Sequence, residues 1–290
     1  MPINERNSMT AKILDGKAMA AAIKASLKDK ITKQGIKPGL AVILVGEDPA
    51  SKIYVGGKEK DALEVGYLSE MFRLPGDAAQ EDVLKLVKEL NLRKDINGIL
   101  VQLPLPKHLN EELITNSIEP VKDVDGFTYN SAGRLFTGSK GLVACTPKGC
   151  IEMIRATGVD MKGKNAVVIG RSNIVGKPMA ILLLAEHATV TICHSRTKDL
   201  PSITRQADIL VAAIGKTRFV KAGMVKEGAI VVDVGMNRDE NGKLCGDVDF
   251  DEVKEKASFI TPVPGGVGLM TRAMLMSNTY EAYLMQQEAK

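Results

Sequence analysis

Residues 167–184 read VVIGRSNIVGKPMAILLL, which predicts a buried strand, a turn with two glycines and an apolar helix. A dinucleotide-binding turn normally carries three glycines in the pattern G-x-G-x-x-G, whereas only Gly170 and Gly176 are present here. The free N–H groups and the dipole at the start of a helix attract an anion, and Arg171 and Ser172 can add contacts to phosphate oxygens. We therefore interpret the stretch as a variant phosphate-binding turn; the alternative is a strand–turn–helix without a ligand.

The next predicted strand, Thr189–Cys193, ends without an acidic residue. In sites that prefer NAD, an Asp or Glu about 20 residues after the turn binds the ribose hydroxyls. Here Ser195 and Arg196 follow the strand, and both attract a 2′-phosphate group that a carboxylate would repel. The two features together favour NADP over NAD, the alternative being a polar loop between a strand and a helix.

The composition is typical of a soluble globular protein, with 44% hydrophobic and 26% charged residues. A length of 290 residues is enough for two domains with separate cores. No apolar run approaches the roughly 18 residues that suggest a membrane span. The net charge of +4 includes no long block of one sign, so we expect neither nucleic acid nor a membrane as a partner.

The cysteines and histidines indicate neither a disulfide scaffold nor a metal site. The four cysteines include no C-x-x-C pair, and we interpret Cys145 and Cys150 as helix-packing thiols rather than a redox pair. The three histidines lack metal-ligand spacing, so no metal is expected. The N-terminus, where Met9 is an alternative start, is polar and lacks an apolar signal core, so we expect a cytoplasmic location.

Short runs rich in valine and isoleucine alternate with helical stretches, which predicts β/α units with parallel sheet. The predicted strands are Leu40–Val45, Leu68–Arg73, Gly98–Gln102, Ala166–Ile169, Thr189–Cys193, Ile209–Ala212 and Ala229–Asp233. The predicted helices span residues 16–33, 51–65, 79–92, 147–157, 176–186, 200–206 and 271–287. Residues 119–138, rich in Pro, Gly and Asp, are interpreted as a functional loop. The prediction is an α/β protein with domains at residues 1–146 and 147–271, in which the final helix, residues 272–290, packs back on the first domain.

Several polar residues of the first domain are candidates for chemistry. Tyr54 and Lys58 are four apart on a predicted helix and therefore share a face, although a packed tyrosine beside a lysine is the alternative. Gln102 ends a predicted parallel strand, where ligands of open α/β sheets bind. The stretch KDVDG supplies Asp123 and Asp125, of which we expect one to be solvated and one to lie in a pocket.

Residues 262–271, PVPGGVGLMT, combine two X-Pro bonds with three glycines just before a predicted helix. Such a backbone can approach a ligand closely, and a structural turn that closes the domain is the alternative.

Seven stretches together resemble one family, the bifunctional methylenetetrahydrofolate dehydrogenase/methenyltetrahydrofolate cyclohydrolases. They are YVGGKEK, GILVQLPLP, KDVDGFT, CTPKGC, VVIGRSNIVGKPM, CHSRT and TPVPGGVGLMT, in the family's order over nearly the whole chain. The resemblance implies an N-terminal catalytic domain, a C-terminal Rossmann-like NADP-binding domain, a folate in the cleft between them, and a homodimer. The implied activity is NADP-dependent oxidation of 5,10-methylenetetrahydrofolate and hydrolysis of the methenyl product to 10-formyltetrahydrofolate, in the one-carbon metabolism that serves purine biosynthesis.

The resemblance also implies roles for individual residues. Lys58 is the central catalytic residue, held by Gln102, while Tyr54 lies along the folate and Asp125 binds the pterin. The substrate site is completed by Val101, Leu103, Pro264, Gly265, Gly266, Val267, Gly268, Leu269, Met270 and Thr271. The NADP contacts are Gly170, Arg171, Ser172, Ser195 and Met236, to which the charge argument adds Arg196. The folate is expected with or without a polyglutamate tail.

This chain departs from the family's usual pattern at two positions. Leu269 replaces a proline, which predicts a more mobile loop. Arg272 stands where an apolar residue is usual, either as an added contact to the acidic tail of folate or as a surface change. Two other functions stay open: a short-chain-type NADP-dependent carbonyl reductase, whose Tyr–Lys pair follows the glycine turn instead of preceding it, and a non-enzymatic NADP-binding regulator. The regulator would be favoured by the loss of Lys58 or Asp125, and both are present.

Overall fold

The computed structural model describes residues 10–288, except for the side chains of residues 49, 50, 52 and 53, so the alternative start at Met9 lies outside the described residues. The strands are β1 (Lys12–Ile13), β2 (Gly39–Val45), β3 (Leu68–Leu74), β4 (Gly98–Val101), β5 (Asn165–Ile169), β6 (Thr189–Cys193), β7 (Ile209–Ala212), β8 (Ile230–Asp233), β9 (Asn237–Arg238), β10 (Leu244–Cys245) and β11 (Phe259–Ile260). The helices are α1 (Gly16–Gln34), α2 (Pro49–Val65), α3 (Gln80–Leu92), α4 (Glu111–Asn116), α5 (Tyr129–Thr137), α6 (Cys145–Arg155), α7 (Gly176–Ala185), α8 (Leu200–Thr204), α9 (Phe250–Val253) and α10 (Val267–Glu288). Single 3₁₀ turns lie at Pro120–Lys122 and Ala222–Met224.

Among the described residues, one compact unit, here called the six-stranded unit, contains residues 10–17 and Gly149–Met270. Its sheet has the order β1-β11-β8-β7-β5-β6, and every neighbouring pair is parallel. The central strands β7 and β8 are buried along their whole length, as is typical of parallel strands covered on both faces. Strand β6 lies at the edge, and three of its five residues are exposed. The parallel order brings the carboxyl ends of β5, β6, β7 and β8 to one edge of the sheet.

The second compact unit, here called the three-stranded unit, contains Ala18–Lys148 and the described residues from Thr271 onward. Its sheet is parallel, with the order β3-β2-β4. The strands β2 and β4 are buried throughout, and their side chains share a hydrophobic core with α3 and α4. Helix α10 begins with residues of the six-stranded unit and continues in the three-stranded unit from Thr271 onward.

The structure confirms the predicted α/β class with parallel sheets, and all predicted strands and helices are found with ends shifted by a few residues. The interpretation of residues 119–138 as one continuous loop is wrong, because the stretch contains a 3₁₀ turn and α5. Thr128 caps α5 by accepting a hydrogen bond from the backbone N–H of Ser131, and Gly138 ends the helix in the left-handed conformation. These are ordinary helix start and stop signals that the high Pro, Gly and Asp content of the stretch obscures.

None of the helices within residues 10–288 is long and apolar enough to cross a membrane. All four cysteines are free and buried, and Cys145 and Cys150 both belong to α6.

Candidate active site

Lys58 and Gln102 are joined by a hydrogen bond in the three-stranded unit. Gln102 directly follows β4, and its backbone N–H donates to the carbonyl of Ile43 at 2.9 Å, which extends the pairing of β4 with β2. The buried Lys58 of α2 donates from Nζ to Oε1 of Gln102 at 2.9 Å. The amide nitrogen of Gln102 donates to the carbonyl of Leu103 at 2.6 Å, and this bond turns the amide oxygen toward the lysine. The sheet therefore fixes Gln102, and Gln102 fixes the amine.

Two of the proposed substrate contacts flank Gln102. Val101 is buried, and its side chain packs within the hydrophobic core. Leu103 is half-buried and packs against the same core. Any contact between Val101 and a ligand must therefore come from its main chain.

Asp123 holds the KDVDG loop together. Its carboxylate accepts hydrogen bonds from the backbone N–H groups of residues 126–128, at 3.0, 3.2 and 2.8 Å, and from the hydroxyl of Ser131 at 2.7 Å. The expectation that one acid of this stretch is solvated is wrong, since Asp123 is buried and Asp125 is half-buried. The four donors compensate the Asp123 carboxylate for its loss of hydration.

Asp125, the second acid of this loop, is half-buried. Burial raises the pKa of its carboxyl group, the positive charge of Lys58 lowers it, and the charge of Asp123 raises it. The amine of Lys58 is thus one of the charges that act on the carboxyl group of Asp125. The three-stranded unit thus brings together a lysine, an amide and a carboxylate that are far apart in the sequence.

Asn278, which the sequence analysis did not identify, supports the backbone next to Asp125. It is fully buried in α10, and its side-chain nitrogen donates to the carbonyls of Val124 at 2.8 Å and Val143 at 2.7 Å. Its side-chain oxygen accepts a hydrogen bond from Nζ of Lys148 at 2.8 Å. Asn278 stands between Ser277 and Thr279 in the sequence, so no local pattern distinguishes it, and only the fold shows that it is buried.

Tyr54 lies one turn before Lys58 on α2 and is half-buried. Burial raises the pKa of its hydroxyl group, whereas the positive charge of Arg272 lowers it. The interpretation of Arg272 as a simple surface change is wrong, because its guanidinium group pairs with the buried carboxylate of Asp61. A contact of Arg272 with the acidic tail of folate stays a prediction.

The glycine turn of the six-stranded unit leaves no room for a side chain at either of its two glycines. Gly170 has a φ of +130°, and a Cβ atom on it would lie 2.2 Å from the carbonyl oxygen of Ala213. A Cβ atom on Gly176 would lie 2.4 Å from the carbonyl oxygen of Gly170. The hydroxyl of Ser172 accepts hydrogen bonds from the N–H groups of Val175 at 3.2 Å and Gly176 at 3.3 Å. This close-packed backbone at the start of α7 fits the phosphates of a dinucleotide, although it has one glycine fewer than the usual pattern.

The sheet register brings the two coenzyme loops to the same edge. Ile169 at the end of β5 pairs with Cys193 at the end of β6, and the N–H of Gly170 donates to the carbonyl of Cys193 at 2.9 Å. Arg171 and residues 195–196 therefore leave neighbouring strands at the same level, and all of these residues are exposed. Residues 194–197 contain no carboxylate.

The stretch from Pro264 to Thr271 is a turn followed by the first residues of a helix. Helix α10 begins at Val267, earlier than predicted, and the N–H of Leu269 donates to the carbonyl of Gly266 at 3.2 Å. The leucine at position 269 supplies this N–H group, which a proline would lack, so the hydrogen bond to Gly266 can form in the first turn of α10. The eight proposed contacts differ in residue burial: Gly266, Val267 and Met270 are buried, Gly265, Gly268, Leu269 and Thr271 are half-buried, and Pro264 is exposed.

Met236 follows β8 and lies near the start of α10. It is 46% exposed, and its Cε atom would lie 3.3 Å from a Cβ atom on Gly268. The six-stranded unit therefore places the proposed nicotinamide contact beside the proposed folate-facing turn. Within residues 10–288 no group of three or more His, Cys, Asp or Glu side chains could hold a metal ion.

A glycine turn at the carboxyl edge of a parallel sheet, with a cationic loop beside it, defines a dinucleotide-binding α/β protein, and the Lys58–Gln102–Asp125 cluster adds a candidate catalytic unit. Family models match residues 14–125 to the catalytic domain of tetrahydrofolate dehydrogenase/cyclohydrolase and residues 144–287 to its NAD(P)-binding domain. The chain belongs to the tetrahydrofolate dehydrogenase/cyclohydrolase family. The resemblance seen in the sequence is thereby confirmed.

Individual relatives agree with this assignment over almost their whole length. The bifunctional protein FolD of Listeria innocua is 58% identical over 273 residues, which cover 93% of this chain and 96% of the relative. The crystal structure of the FolD dehydrogenase/cyclohydrolase of Campylobacter jejuni has a TM-score of 0.93 at 50% identity, covering 95% of this chain and 99% of the other. The Trypanosoma brucei enzyme, solved with NADP cofactor and an inhibitor, has a TM-score of 0.91 at 37% identity, covering 96% and 98% of the two chains.

Proposed function

We propose that Lys58, Gln102, Asp125 and Tyr54 form the folate site of a bifunctional enzyme. The protein is an NADP-dependent methylenetetrahydrofolate dehydrogenase and a methenyltetrahydrofolate cyclohydrolase, as its family membership over nearly the full chain indicates. The observation that carries the site proposal is the 2.9 Å hydrogen bond between the buried amine of Lys58 and Gln102, with the carboxylate of Asp125 nearby.

The dehydrogenase step requires mainly that the folate substrate be held in the correct orientation for hydride transfer. Loss of a hydride from the methylene carbon leaves a resonance-stabilised methenyl cation, so no proton acceptor is needed. When bound, NADP accepts this hydride. Asp125 holds the substrate by accepting two hydrogen bonds from the amino-pyrimidinone edge of the pterin, as a carboxylate pairs with a guanidinium fork. Tyr54 lies along the folate and limits its orientations.

The cyclohydrolase step requires proton management. Water attacks the methenyl carbon and loses a proton as the C–O bond forms. The resulting hydroxyl group loses its own proton as it becomes the formyl carbonyl, and the ring nitrogen gains a proton as its C–N bond breaks, so one proton is released overall. Lys58 is the group proposed to move these protons, because an amine held in one position can accept and return a proton. Gln102 keeps the amine at that position through its side-chain oxygen.

The direct test is an absorbance assay with purified protein, methylenetetrahydrofolate and NADP. NADPH should appear together with 10-formyltetrahydrofolate, and only a transient methenyl intermediate should be seen. NADPH formation without folate, or none with it, would contradict the proposed function.

The coenzyme site is proposed to consist of the glycine turn and the loop after β6. Gly170, Arg171 and Ser172 would hold the phosphates, Ser195 and Arg196 the 2′-phosphate, and the main chain of Met236 the nicotinamide end. The shared sheet edge and the space reserved by the glycines support this assignment.

Arg196→Asp should weaken NADP binding by about tenfold or more and leave NAD binding unchanged, because it replaces an attractive charge beside the 2′-phosphate with a repulsive one. Titration of both coenzymes measures the effect. Lys198→Asp is the matched control, since it makes the same charge change two residues further along an exposed loop. Equal affinity of the unaltered protein for NADP and NAD would contradict the charge argument.

Folate binding should weaken as the pH falls, and should do so at a higher pH than for an ordinary aspartate. Asp125 must be ionised to accept two hydrogen bonds from the pterin, and burial raises its pKa more than Lys58 lowers it. Calorimetric titration with tetrahydrofolate over a range of pH measures the dissociation constant. Asp125→Asn should bind weakly without this pH dependence. A constant dissociation constant down to the pH of acid unfolding would contradict the role of the carboxylate.

The remaining features are proposed from the family resemblance and the composition. We propose a cytoplasmic homodimer that accepts folates with polyglutamate tails and binds neither nucleic acid nor membranes. Its product, a formyl donor, suits the formyl-transfer reactions of purine biosynthesis. Light scattering of the purified protein tests whether it is a dimer. The ratio of Michaelis constants for mono- and polyglutamylated substrates tests whether the enzyme accepts the polyglutamate tail.

A further inference from the structure

One face of α2 carries the proposed catalytic lysine together with an acidic residue. Tyr54, Gly57, Lys58 and Asp61 are spaced at i, i+3, i+4 and i+7, so they lie on the same side of the helix. Asp61 is buried, with a side-chain exposure of 3%. A buried carboxylate requires positively charged or hydrogen-bonding partners.

Arg272 is the main partner of the Asp61 carboxylate, which it binds through two nitrogens of its guanidinium group. Its Nε donates to Oδ2 of Asp61 at 2.6 Å, and its Nη2 donates to Oδ1 at 3.1 Å. Its third nitrogen, Nη1, lies over Gly57, where a Cβ atom would be only 2.2 Å away. The guanidinium group thus covers the residue next to Lys58 and binds the residue three positions beyond it.

A second cation completes the cluster. Lys24 on α1 donates to Oδ1 of Asp61 at 2.7 Å and to the carboxylate of Glu64 at 2.6 Å. The side chains of Lys24 and Arg272 are 13% and 25% exposed, so the contacts around Asp61 are shielded from solvent, whereas the side chain of Glu64 is 48% exposed. It ties α2 to α1 on one side and to α10 on the other, and breaking one partner of such a cluster leaves an uncompensated charge.

We propose that Arg272 is a positioning residue for the cyclohydrolase step, because it binds Asp61 and covers Gly57 and so holds the face of α2 that presents Lys58. This inference rests on the proposed role of Lys58. Arg272 acts through α2 and is not required to touch the substrate.

The two activities should depend on Arg272 to different extents. Proton transfer by Lys58 is sensitive to small displacements of the amine, and a shift of about 1 Å can cost roughly a hundredfold in rate. The dehydrogenase step depends on the pterin contact of Asp125, whose loop is held by Asp123 and Asn278. Loss of Arg272 should therefore lower the ratio of cyclohydrolase to dehydrogenase rate, and this ratio does not change with the fraction of protein that is folded.

The experiment measures both rates on the same sample of Arg272→Met. The ratio should fall between about 10- and 100-fold. The matched control is Arg93→Met, which removes an equivalent fork between Arg93 and Glu70 in the same unit, with contacts at 2.7 and 2.6 Å. The control should keep the ratio of the unaltered enzyme.

Gly57→Ala is a second variant that does not depend on the folding of Arg272→Met. Alanine favours a helix more than glycine does, yet its methyl group would displace the guanidinium of Arg272. It should also lower the ratio, and it should add nothing in the Arg272→Met background. An unchanged ratio in both single variants overturns the inference. If Lys58→Gln also leaves the ratio unchanged, the proposed role of Lys58 fails; if Lys58→Gln lowers it, only the role of Arg272 fails.

Discussion

Lys58→Gln should hydrolyse methenyltetrahydrofolate about 100- to 10,000-fold more slowly, the range expected for loss of one general acid–base group. Glutamine keeps much of the length and polarity of the side chain but cannot move a proton. The dehydrogenase rate should fall much less, because hydride transfer requires alignment and no proton acceptor. The methenyl intermediate should therefore accumulate during turnover, and its absorbance can be followed beside that of NADPH.

Lys60→Gln is the matched control, since Lys60 is exposed on the same helix. It should leave both rates unchanged. A Lys58→Gln enzyme that hydrolyses the methenyl compound at the normal rate would show that Lys58 only packs along α2, and that another group handles the proton.

Asp125→Ala should abolish most folate binding, and with it both activities, while NADP binding stays intact. Removing one partner of a buried, charge-assisted hydrogen-bonded pair costs about 2–5 kcal/mol, which corresponds to roughly a 30- to 5,000-fold weaker affinity. Separate titrations with folate and NADP distinguish the two sites. Unchanged folate affinity would remove Asp125 from the site.

Asp123→Ala provides the contrast that separates binding from loop structure. Asp123 satisfies three backbone N–H groups and one hydroxyl, so its loss should lower the melting temperature. Asp125→Ala should leave the melting temperature nearly unchanged or raise it, because partial burial imposes a desolvation cost on the carboxyl group. Loss of Asp123 is thus expected to lower stability, whereas loss of Asp125 is expected to lower folate affinity.

The sequence was sufficient for features that depend on local patterns. Runs of valine and isoleucine located β2, β5, β7 and β8, because strands buried on both faces must be apolar at every position. The glycine turn could be located because a strand, two glycines and an apolar helix follow one another directly. Ser195 and Arg196 could be connected with this turn because neighbouring parallel strands end at the same edge of a sheet.

Short elements were missed for a physical reason. Strands β1 and β11 have two residues each, too few to show any periodicity, and they exist because the edge of a larger sheet pairs with them. Helix α5 lies in a stretch whose composition is typical of a loop. That composition favoured a loop prediction, although Thr128 is a typical N-cap residue.

Only the tertiary structure decided how the site's residues support one another. The bond between Asp61 and Arg272 joins positions 211 residues apart, and that between Asn278 and Val124 joins positions 154 residues apart. The sequence made Lys58, Gln102 and Asp125 candidates for the site. It could not show that Asp123 binds the backbone of its own loop, or that Arg272 pairs with the buried Asp61. Helical and strand periodicity report which face of an element is apolar, whereas the pairing of buried charges depends on which elements pack together, and that is fixed only when the chain has folded.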